Sequence, residues 1–201
     1  MTIAVAIYLF KNVEVLDFAG PFEVFTTASR VFLKQNPGTP APFKVFTVAK
    51  TGAPVQARAG LKTLPDFSRN DCPRVDLLLV PGGVVDEELQ DELVIDWVRA
   101  TSSFAQLTAS VCTGAFLLAK AGLLDGKQAT THWEDIADLR SQFPRVRVRE
   151  GVRWVDEGAV VTSAGIAAGI DMSLHLVARL VSDELAIATA RQMDVPYRRE
   201  A

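Results

Sequence analysis

Residues 106–122 read QLTASVCTGAFLLAKAG, and this stretch carries the clearest structural signal in the chain. Gln106–Ser110 is typical of a short buried strand, and Thr113–Ala121 is typical of a helix that ends at Gly122 as its left-handed cap. Because this helix is apolar almost all round, we expect it to be buried in the centre of the molecule. A buried strand that turns directly into a buried helix indicates an α/β domain.

Similar strand and helix segments alternate along the rest of the chain. Strands are predicted at Thr2–Leu9, Phe43–Ala49, Leu77–Val80, Ala129–His132, Val146–Val148, Val152–Val155 and Val160–Thr162. Helices are predicted to begin at Gly20–Pro21, with Pro21 in the first turn, and to cover Glu134–Gln142, Gly169–Val181 and Asp183–Gln192. This alternation predicts an α/β fold with a mostly parallel sheet sandwiched by helices, and residues 1–201 are expected to form one domain.

Composition and charge limit the possible functions. Apolar residues make up 49% and charged residues 22% of the 201 positions, which are ordinary globular values. A net charge of −3 argues against a nucleic-acid-binding surface, and two cysteines with two histidines give neither a disulfide framework nor a zinc motif. The opening apolar run ends at Lys11 and is too short to span a bilayer. We therefore expect a cytoplasmic protein with no membrane contact, no nucleic-acid partner, no metal and no cofactor.

Cys112 is the sharpest candidate for chemistry. It lies in SVCTG at 110–114, where a tight turn from strand to helix projects a nucleophile away from the backbone and small residues let the chain close up. Free N–H groups at the start of the next helix favour the thiolate, so the pKa of Cys112 is expected to lie below about 8.5. The alternative is a small, buried, inert cysteine. Cys72 lies in a loop and is expected to have no role, and His132 is either close to the site or structural.

Asp17 and a glycine pair are the other candidates. Asp17 lies within an apolar stretch, and it is either a cap carboxylate or, if buried beside Cys112, a proton donor. Glu23 is a competing carboxylate that is expected on a solvated helix face. Gly82 and Gly83 follow a buried strand directly, so their N–H groups are either donors to a developing anion or simply part of a turn.

Six motifs, in one order, resemble the ThiJ/PfpI superfamily, which is related to the class I glutamine amidotransferases. They are LDFAGP at 16–21, LVPGG at 79–83, SVCTGA at 110–115, GLLDGK at 122–127, ATTHW at 129–133 and AGIAAGID at 164–171. The resemblance covers nearly the whole chain and implies a flavodoxin-like, class I glutamine amidotransferase-like fold. It also implies a small-molecule substrate or ligand and a homodimer.

Proteins of this superfamily that have different activities differ in the residues at this turn. Its intracellular proteases carry Cys-His there, whereas this chain has Cys112-Thr113, so protease activity is disfavoured. The Cys-Thr pair together with Asp17 resembles isonitrile hydratases, which are lyases. That resemblance implies that Cys112 attacks the terminal carbon of an isonitrile and that Asp17 moves the protons. Thr113, Gly82 and Gly83 are then expected to hold the polar end of the substrate while an N-substituted formamide forms.

The segment at 164–171 departs from the hydratase pattern. Hydratases tend to read GGGITAGID there, so Ala167 replaces a hydroxyl, while Ile166 and His132 are expected to contact the substrate. This segment looks more like the ligand-sensing domains of AraC-type transcription regulators, which continue into a helix-turn-helix domain. A complete regulator is not expected, since the chain stops at Ala201. Two alternatives stay open: a sensor domain without turnover, and a redox or stress protein whose Cys112 is oxidised.

Overall fold

Strands and helices alternate through the computed structural model, which describes residues 1–200. The strands are β1 (Ile3–Leu9), β2 (Phe43–Ala49), β3 (Val55–Gln56), β4 (Lys62–Thr63), β5 (Phe67–Ser68), β6 (Leu77–Val80), β7 (Leu107–Val111), β8 (Gln128–Ala129), β9 (Arg147–Val148), β10 (Trp154–Asp156) and β11 (Val160–Ser163). The helices are α1 (Val15–Gln35), α2 (Asp86–Gln90), α3 (Glu92–Phe104), α4 (Gly114–Lys120), α5 (Ile136–Gln142), α6 (Ala168–Leu180) and α7 (Asp183–Met193). Short 3-10 helices cover Arg58–Gly60 and Trp133–Asp135.

Seven of the strands form the central sheet, in the order β10-β11-β7-β6-β1-β2-β5. Every neighbouring pair in this sheet is parallel except β10 and β11. The prediction of a mostly parallel α/β sheet is therefore confirmed. The strands β3 and β4 pair with each other outside the sheet, and so do β8 and β9.

Helices cover both faces of the sheet, because successive residues of a strand point to opposite sides. On β1, Ala6 and Tyr8 pack into one core cluster, while Val5 and Ile7 pack into the other. The first cluster contains residues of α3, α4 and α5, and the second contains residues of α1, α6 and α7. The helix α4 is buried along almost its whole length, as its apolar composition predicts.

The first helix begins earlier than predicted. It starts at Val15, so Pro21 lies inside it rather than in its first turn. The missing N–H of Pro21 removes only the hydrogen bond to the carbonyl of Asp17. The packing of α1 against α6 offsets the loss of this hydrogen bond. The two helices approach so closely at Gly20 that a Cβ on Gly20 would lie 3.0 Å from Ile170 Cγ1.

The predicted strand at Ala129–His132 is too long by three residues. β8 ends at Ala129, and the N–H of Thr130 donates to the side chain of Thr162 at 2.9 Å instead of continuing a ladder. His132 therefore does not end a strand. It precedes the 3-10 turn, where its Nδ1 accepts a hydrogen bond from the N–H of Glu134 at 3.4 Å.

The carboxyl ends of β1, β6 and β7 lie at one edge of the sheet, where parallel sheets place ligand sites. Among residues 1–200, none of the helices combines the length and the apolar composition that crossing a bilayer requires. The cytoplasmic location stays a prediction.

Candidate active site

Cys112 occupies the turn between β7 and α4 with a left-handed backbone. Its φ is +56°, a conformation that costs a residue with a side chain about 1–2 kcal/mol. Surrounding main chain holds it there: the Cys112 N–H donates to the carbonyls of Ser163 at 3.2 Å and Ala164 at 3.3 Å. The Cys112 side chain is buried except at the rim of a cavity, where 8% of the residue is exposed. Cys112 thus lies in the strained strand-to-helix turn that its sequence neighbours predict.

Small residues on either side of Cys112 let this turn close. A Cβ on Gly114 would collide with the carbonyl oxygen of Val80 and with Pro81 at the end of β6. Ser110, two residues before Cys112, is fully buried in β7. The turn therefore tolerates no larger residue at position 114.

Asp17 reaches this turn from the first turn of α1 and is completely buried. Its Oδ2 accepts a hydrogen bond from the Gly82 N–H at 3.0 Å, whereas its Oδ1 makes no hydrogen bond. The fit is close, because a Cβ on Gly82 would lie 2.7 Å from the backbone nitrogen of Thr113 and 2.8 Å from Asp17 Oδ2. Glu23, the competing carboxylate, is exposed and paired with Arg30 at 2.8 Å. Of the two, only Asp17 belongs to the site.

Burial controls the pKa values of both reactive groups. Burial raises the pKa of Asp17 to about 7, and the charge of Glu14 adds to this, although the Gly82 N–H and the Cys112 thiol oppose it. Burial, followed by the charge of Asp17, raises the pKa of Cys112 to about 12. The N–H of Thr113 lowers the pKa of Cys112, but by less. The prediction of a lowered cysteine pKa is therefore wrong, because removing water from the sulfur outweighs the nearby N–H groups.

The loop after β6 holds the side chains of the site. The Gly83 N–H donates to Thr113 Oγ1 at 2.8 Å, and the Thr113 hydroxyl donates to the Gly83 carbonyl at 2.9 Å. The Gly82 N–H donates a hydrogen bond to Asp17 Oδ2. Both N–H groups are therefore bound to protein acceptors. The predicted anion-binding role of this loop requires Asp17 or Thr113 to release them.

A cavity of about 520 Å³ lies in front of Cys112, a size that suits a small molecule. His132 and Ile166 both line it, as do Thr113 and Gly83. Ile166 has a φ of +50°, which is unusual for a β-branched residue, and it is 39% exposed. The ring of His132 covers Gly165 so closely that a Cβ there would collide with it. The structure thus brings the predicted contact residues to one cavity, while Asp17 and Gly82 lie outside its lining.

Several residues of the cavity wall were not found from the sequence. They are Glu14, Arg58, Leu89, Phe116, Glu134, Asp135, Asp138 and Gln142, whereas Val84, Val85 and Asp86 belong to the loop Val84–Glu87, which is expected from the sequence to supply pocket walls. One signal was available, since Glu134 and Asp135 lie in the 3-10 turn just after His132 and Asp138 lies in the first turn of α5. Arg58 gave no signal, because it comes from a short 3-10 turn whose position depends on tertiary contacts. Cys72 is half-buried in the described structure and does not line this cavity.

A model of the DJ-1/PfpI family matches residues 3–179. The chain belongs to the DJ-1/PfpI family. Among its relatives in this family is the isonitrile hydratase of Pseudomonas putida, which is 35% identical over 195 residues, or 96% of this chain and 79% of the hydratase. The superfamily resemblance noted from the motifs is confirmed.

The chain is also similar to a transcriptional regulator and to a protein of known structure. The helix-turn-helix transcriptional regulator GbdR of Pseudomonas aeruginosa is 30% identical over 185 residues, which is 92% of this chain and 48% of the regulator. This chain thus spans about half the length of that regulator. A crystal structure of a ThiJ/PfpI family protein from Pseudomonas syringae superposes with a TM-score of 0.83 at 28% identity, covering 96% of this chain and 75% of the other.

Proposed function

We propose that this protein catalyses the cysteine-dependent hydration of a small isonitrile to an N-substituted formamide. The observation that carries the proposal is the arrangement of Asp17, fully buried with a free Oδ1, next to Cys112 in its strained turn. The two groups lie close enough for each to shift the pKa of the other. Similarity to the hydratase of Pseudomonas putida supports the same reaction.

In the first half of the proposed reaction, Asp17 acts as the base for Cys112. A carboxylate with a pKa of about 7 is ionised in a large fraction of molecules at neutral pH, and it accepts the thiol proton as sulfur attacks. The new C–S bond forms at the terminal carbon of the isonitrile. The carboxyl proton then passes to that carbon, which gives a thioimidate bound to Cys112. No proton is gained or lost in this half.

In the second half, water releases the product. Asp17 takes one proton from a water molecule as the water oxygen adds to the thioimidate carbon, and it passes this proton to the nitrogen, which leaves a tetrahedral carbon that carries a hydroxyl. Asp17 then takes the hydroxyl proton as the carbonyl forms and the C–S bond breaks, and it returns this proton to the sulfur as the formamide leaves. One water is consumed for each isonitrile. Asp17 therefore serves as base and acid in turn, which a pKa near the working pH suits.

Formamide production from cyclohexyl isocyanide tests the proposal. Wild type is compared with Cys112→Ser, Asp17→Asn and Asp17→Glu under one set of conditions. We expect Cys112→Ser to be inactive and Asp17→Asn to lose about two to four powers of ten in turnover. Asp17→Glu keeps the carboxyl but moves it by about one bond length, which we expect to cost about a hundredfold.

Two matched controls separate chemistry from general damage. Cys72→Ser changes the other cysteine, and Glu23→Gln changes an exposed carboxylate of the same helix α1. Both are expected to retain wild-type turnover. Full activity in Asp17→Asn would remove this carboxylate from the mechanism, and inactive wild type would reject isonitrile hydration.

A second candidate function is the binding of a small molecule without turnover. The observation that favours it is the alignment of 92% of this chain with about half of a transcriptional regulator. A sensor needs the cavity but not the Cys112–Asp17 pair. Ligand affinity that is unchanged in Cys112→Ser and Asp17→Asn, in a protein that makes no formamide, would favour this function.

The redox alternative has less support. An oxidation-sensing cysteine is expected to have a low pKa and an accessible sulfur, whereas burial raises the pKa of Cys112 to about 12. We expect Cys112 to remain reduced after mild peroxide treatment, and mass spectrometry of the treated protein measures this.

We also propose that the protein is a homodimer. The superfamily resemblance supports this, and two-fold dimers are the commonest soluble oligomers. Sedimentation at micromolar concentration is expected to give about twice the chain mass of 21.8 kDa. A single species of the chain mass would contradict the proposal.

A further inference from the structure

A second cavity, which we call the α3 cavity, lies between α3 and the loop that joins β5 to β6. Its volume is about 490 Å³, which suits a small molecule. This cavity and the one in front of Cys112 share none of their described lining residues. The residues that line the α3 cavity are Arg69, Cys72, Pro73, Arg74, Val75, Trp97, Thr101 and Phe104.

The α3 cavity is positively charged in a chain that is negative overall. Its described lining residues include two arginines and no Asp or Glu, which gives a formal charge of +2 against −3 for the whole chain. Arg74 is exposed, and its Nη2 lies 3.1 Å from Asp76 Oδ1. Arg69 forms no ion pair with any residue from 1 to 200. The uncompensated charge of the cavity therefore belongs to Arg69.

The guanidinium of Arg69 is partly shut off from water. The Nη1 atom is buried, and it makes no hydrogen bond within the described part of the chain. A long cationic side chain normally buries its stem and keeps its charged head in water. A buried N–H of a charged group that lacks an acceptor is costly. An anion bound at the guanidinium offsets this cost, because the positive charge is shared by all three nitrogens.

Acidic side chains in this part of the molecule are engaged with other groups. Burial raises the pKa of Tyr8 and the charge of Arg69 lowers it, so the guanidinium lies near the Tyr8 hydroxyl. That hydroxyl donates to Glu88 Oε2 at 2.6 Å, and Glu88 Oε1 lies 2.8 Å from Lys50 Nζ. Asp71, two positions after Arg69, accepts two hydrogen bonds within its own turn. Neither Glu88 nor Asp71 balances the charge of Arg69.

Aromatic side chains form the opposite wall of the α3 cavity. Trp97 and Phe104 lie seven positions apart on α3, so both project from one face of this helix. Phe104 is 87% exposed. One exposed aromatic residue is ordinary on a protein surface, but this one borders the same cavity as the uncompensated guanidinium. The α3 cavity thus combines an apolar wall with a single positive charge.

We propose that the α3 cavity is a second binding site for a small organic carboxylate with a flat apolar body. A carboxylate fits the planar fork of a guanidinium with two parallel hydrogen bonds. One uncompensated charge favours a monoanion over a phosphate ester, which carries about −2 at neutral pH. The rings of Trp97 and Phe104 pack against the apolar body. The proposal stands independently of isonitrile hydration.

Benzoate, its neutral isostere benzamide and the small anion acetate are the probes that test this proposal. The indole N–H signal of Trp97 in a two-dimensional NMR spectrum reports binding at this cavity, and Trp97→Phe assigns the signal. Dissociation constants are measured from it for wild type, Arg69→Gln and Arg140→Gln. Arg140 pairs with Glu150 and does not line the α3 cavity, so it is the matched control.

We expect wild type to bind benzoate about tenfold more tightly than either benzamide or acetate, because the charge and the ring both contribute. Arg69→Gln should weaken benzoate binding about tenfold and leave benzamide binding unchanged, whereas Arg140→Gln should match wild type. This variant is expected to fold, since its buried nitrogen loses no hydrogen bond.

Three results would overturn the site: no movement of the Trp97 signal, equal affinity for benzoate and benzamide, or unchanged benzoate affinity in Arg69→Gln. The first two are measured in wild type, so they decide the matter even where the variant fails to fold. Acetate that binds as tightly as benzoate would show that the aromatic wall takes no part in recognition.

Discussion

The hydroxyl of Thr131 donates a hydrogen bond to the carbonyl of Cys112 at 2.8 Å. Thr131 is buried, and the carbonyl that it binds belongs to the residue with the strained backbone. The Ala115 N–H contacts the same carbonyl at 3.3 Å, a longer and weaker interaction. Thr131 therefore helps to hold the nucleophile in its left-handed conformation.

Replacing Thr131 by valine keeps the shape and removes this donor. We expect a loss of about 1–2 kcal/mol in the free energy of unfolding, because the Cys112 carbonyl loses its best partner. Turnover should fall as well, since the sulfur is no longer fixed. Urea denaturation and formamide production measure the two effects. Thr131→Ser retains the hydroxyl and is the control, so equal behaviour of the valine and serine variants would contradict this role.

Ionisation of Asp17 should make stability depend on pH. The folded pKa of about 7 lies above the ordinary value of 3.8, so the protonated carboxyl favours the folded state. That contribution is fully present below about pH 4 and is lost as the pH rises through about 7. The shift corresponds to about 4 kcal/mol at complete ionisation.

Asp17→Asn removes this dependence. Between about pH 5 and pH 8, we expect wild type to lose more unfolding free energy than Asp17→Asn, as measured by denaturant titration. Glu23→Gln, at an exposed position of the same helix, should follow wild type. Parallel curves for wild type and Asp17→Asn would show that the carboxyl ionises normally in the folded protein.

The charge of Asp17 should also suppress alkylation of Cys112. Because Asp17 raises the pKa of the thiol, Asp17→Asn is expected to increase the rate of iodoacetamide labelling at neutral pH while it decreases turnover. Peptide mapping in a Cys72→Ser background measures the rate at one site. Slower labelling of Cys112 in Asp17→Asn would mean that Asp17 also acts as the base during alkylation, and that this proton transfer outweighs the effect of its charge on the thiol pKa.

Gly82 should tolerate no side chain. A Cβ there would approach Thr113 and Asp17 within 2.7–2.8 Å, so Gly82→Ala is expected to destabilise the fold by about 1–3 kcal/mol and to displace the carboxyl. Gly52→Ala is the control, because a Cβ at Gly52 meets nothing within 4 Å. Thermal unfolding of the two variants makes the comparison. Equal melting temperatures would show that the loop adjusts without cost.

The sequence predicts the fold well where one local pattern determines the structure. The apolar run Leu77–Val80 is a strand with the predicted bounds, and Cys112 lies at the predicted turn. The start of α1 was missed, because docking of Gly20 on Ile170 outweighs the preference of Pro21 for a first turn. Such a contact joins residues far apart in the chain, which local patterns do not report.

The sequence points to Cys112 and Asp17 as candidates, but it reports neither their electrostatics nor several residues of the cavity wall. Asp17 and Gly82 are 65 positions apart, and their hydrogen bond exists only once β6 and α1 are assembled. The raised pKa of Cys112 likewise depends on the burial of the sulfur in the folded chain. A helix start beside a cysteine predicts the opposite direction, so the sign of the shift required the tertiary structure.

Main-chain atoms anchor the reactive pair, whereas side chains build the walls of its cavity. The Gly82 N–H holds Asp17, and backbone carbonyls at the end of β11 hold the N–H of Cys112. Exchange of exposed wall residues such as Asp86 and Asp138 leaves these main-chain contacts in place. A library for new substrate preferences should randomise those wall positions and keep the glycines of the site. The shape and charge of the cavity then change, while the main-chain contacts of Cys112 and Asp17 are retained.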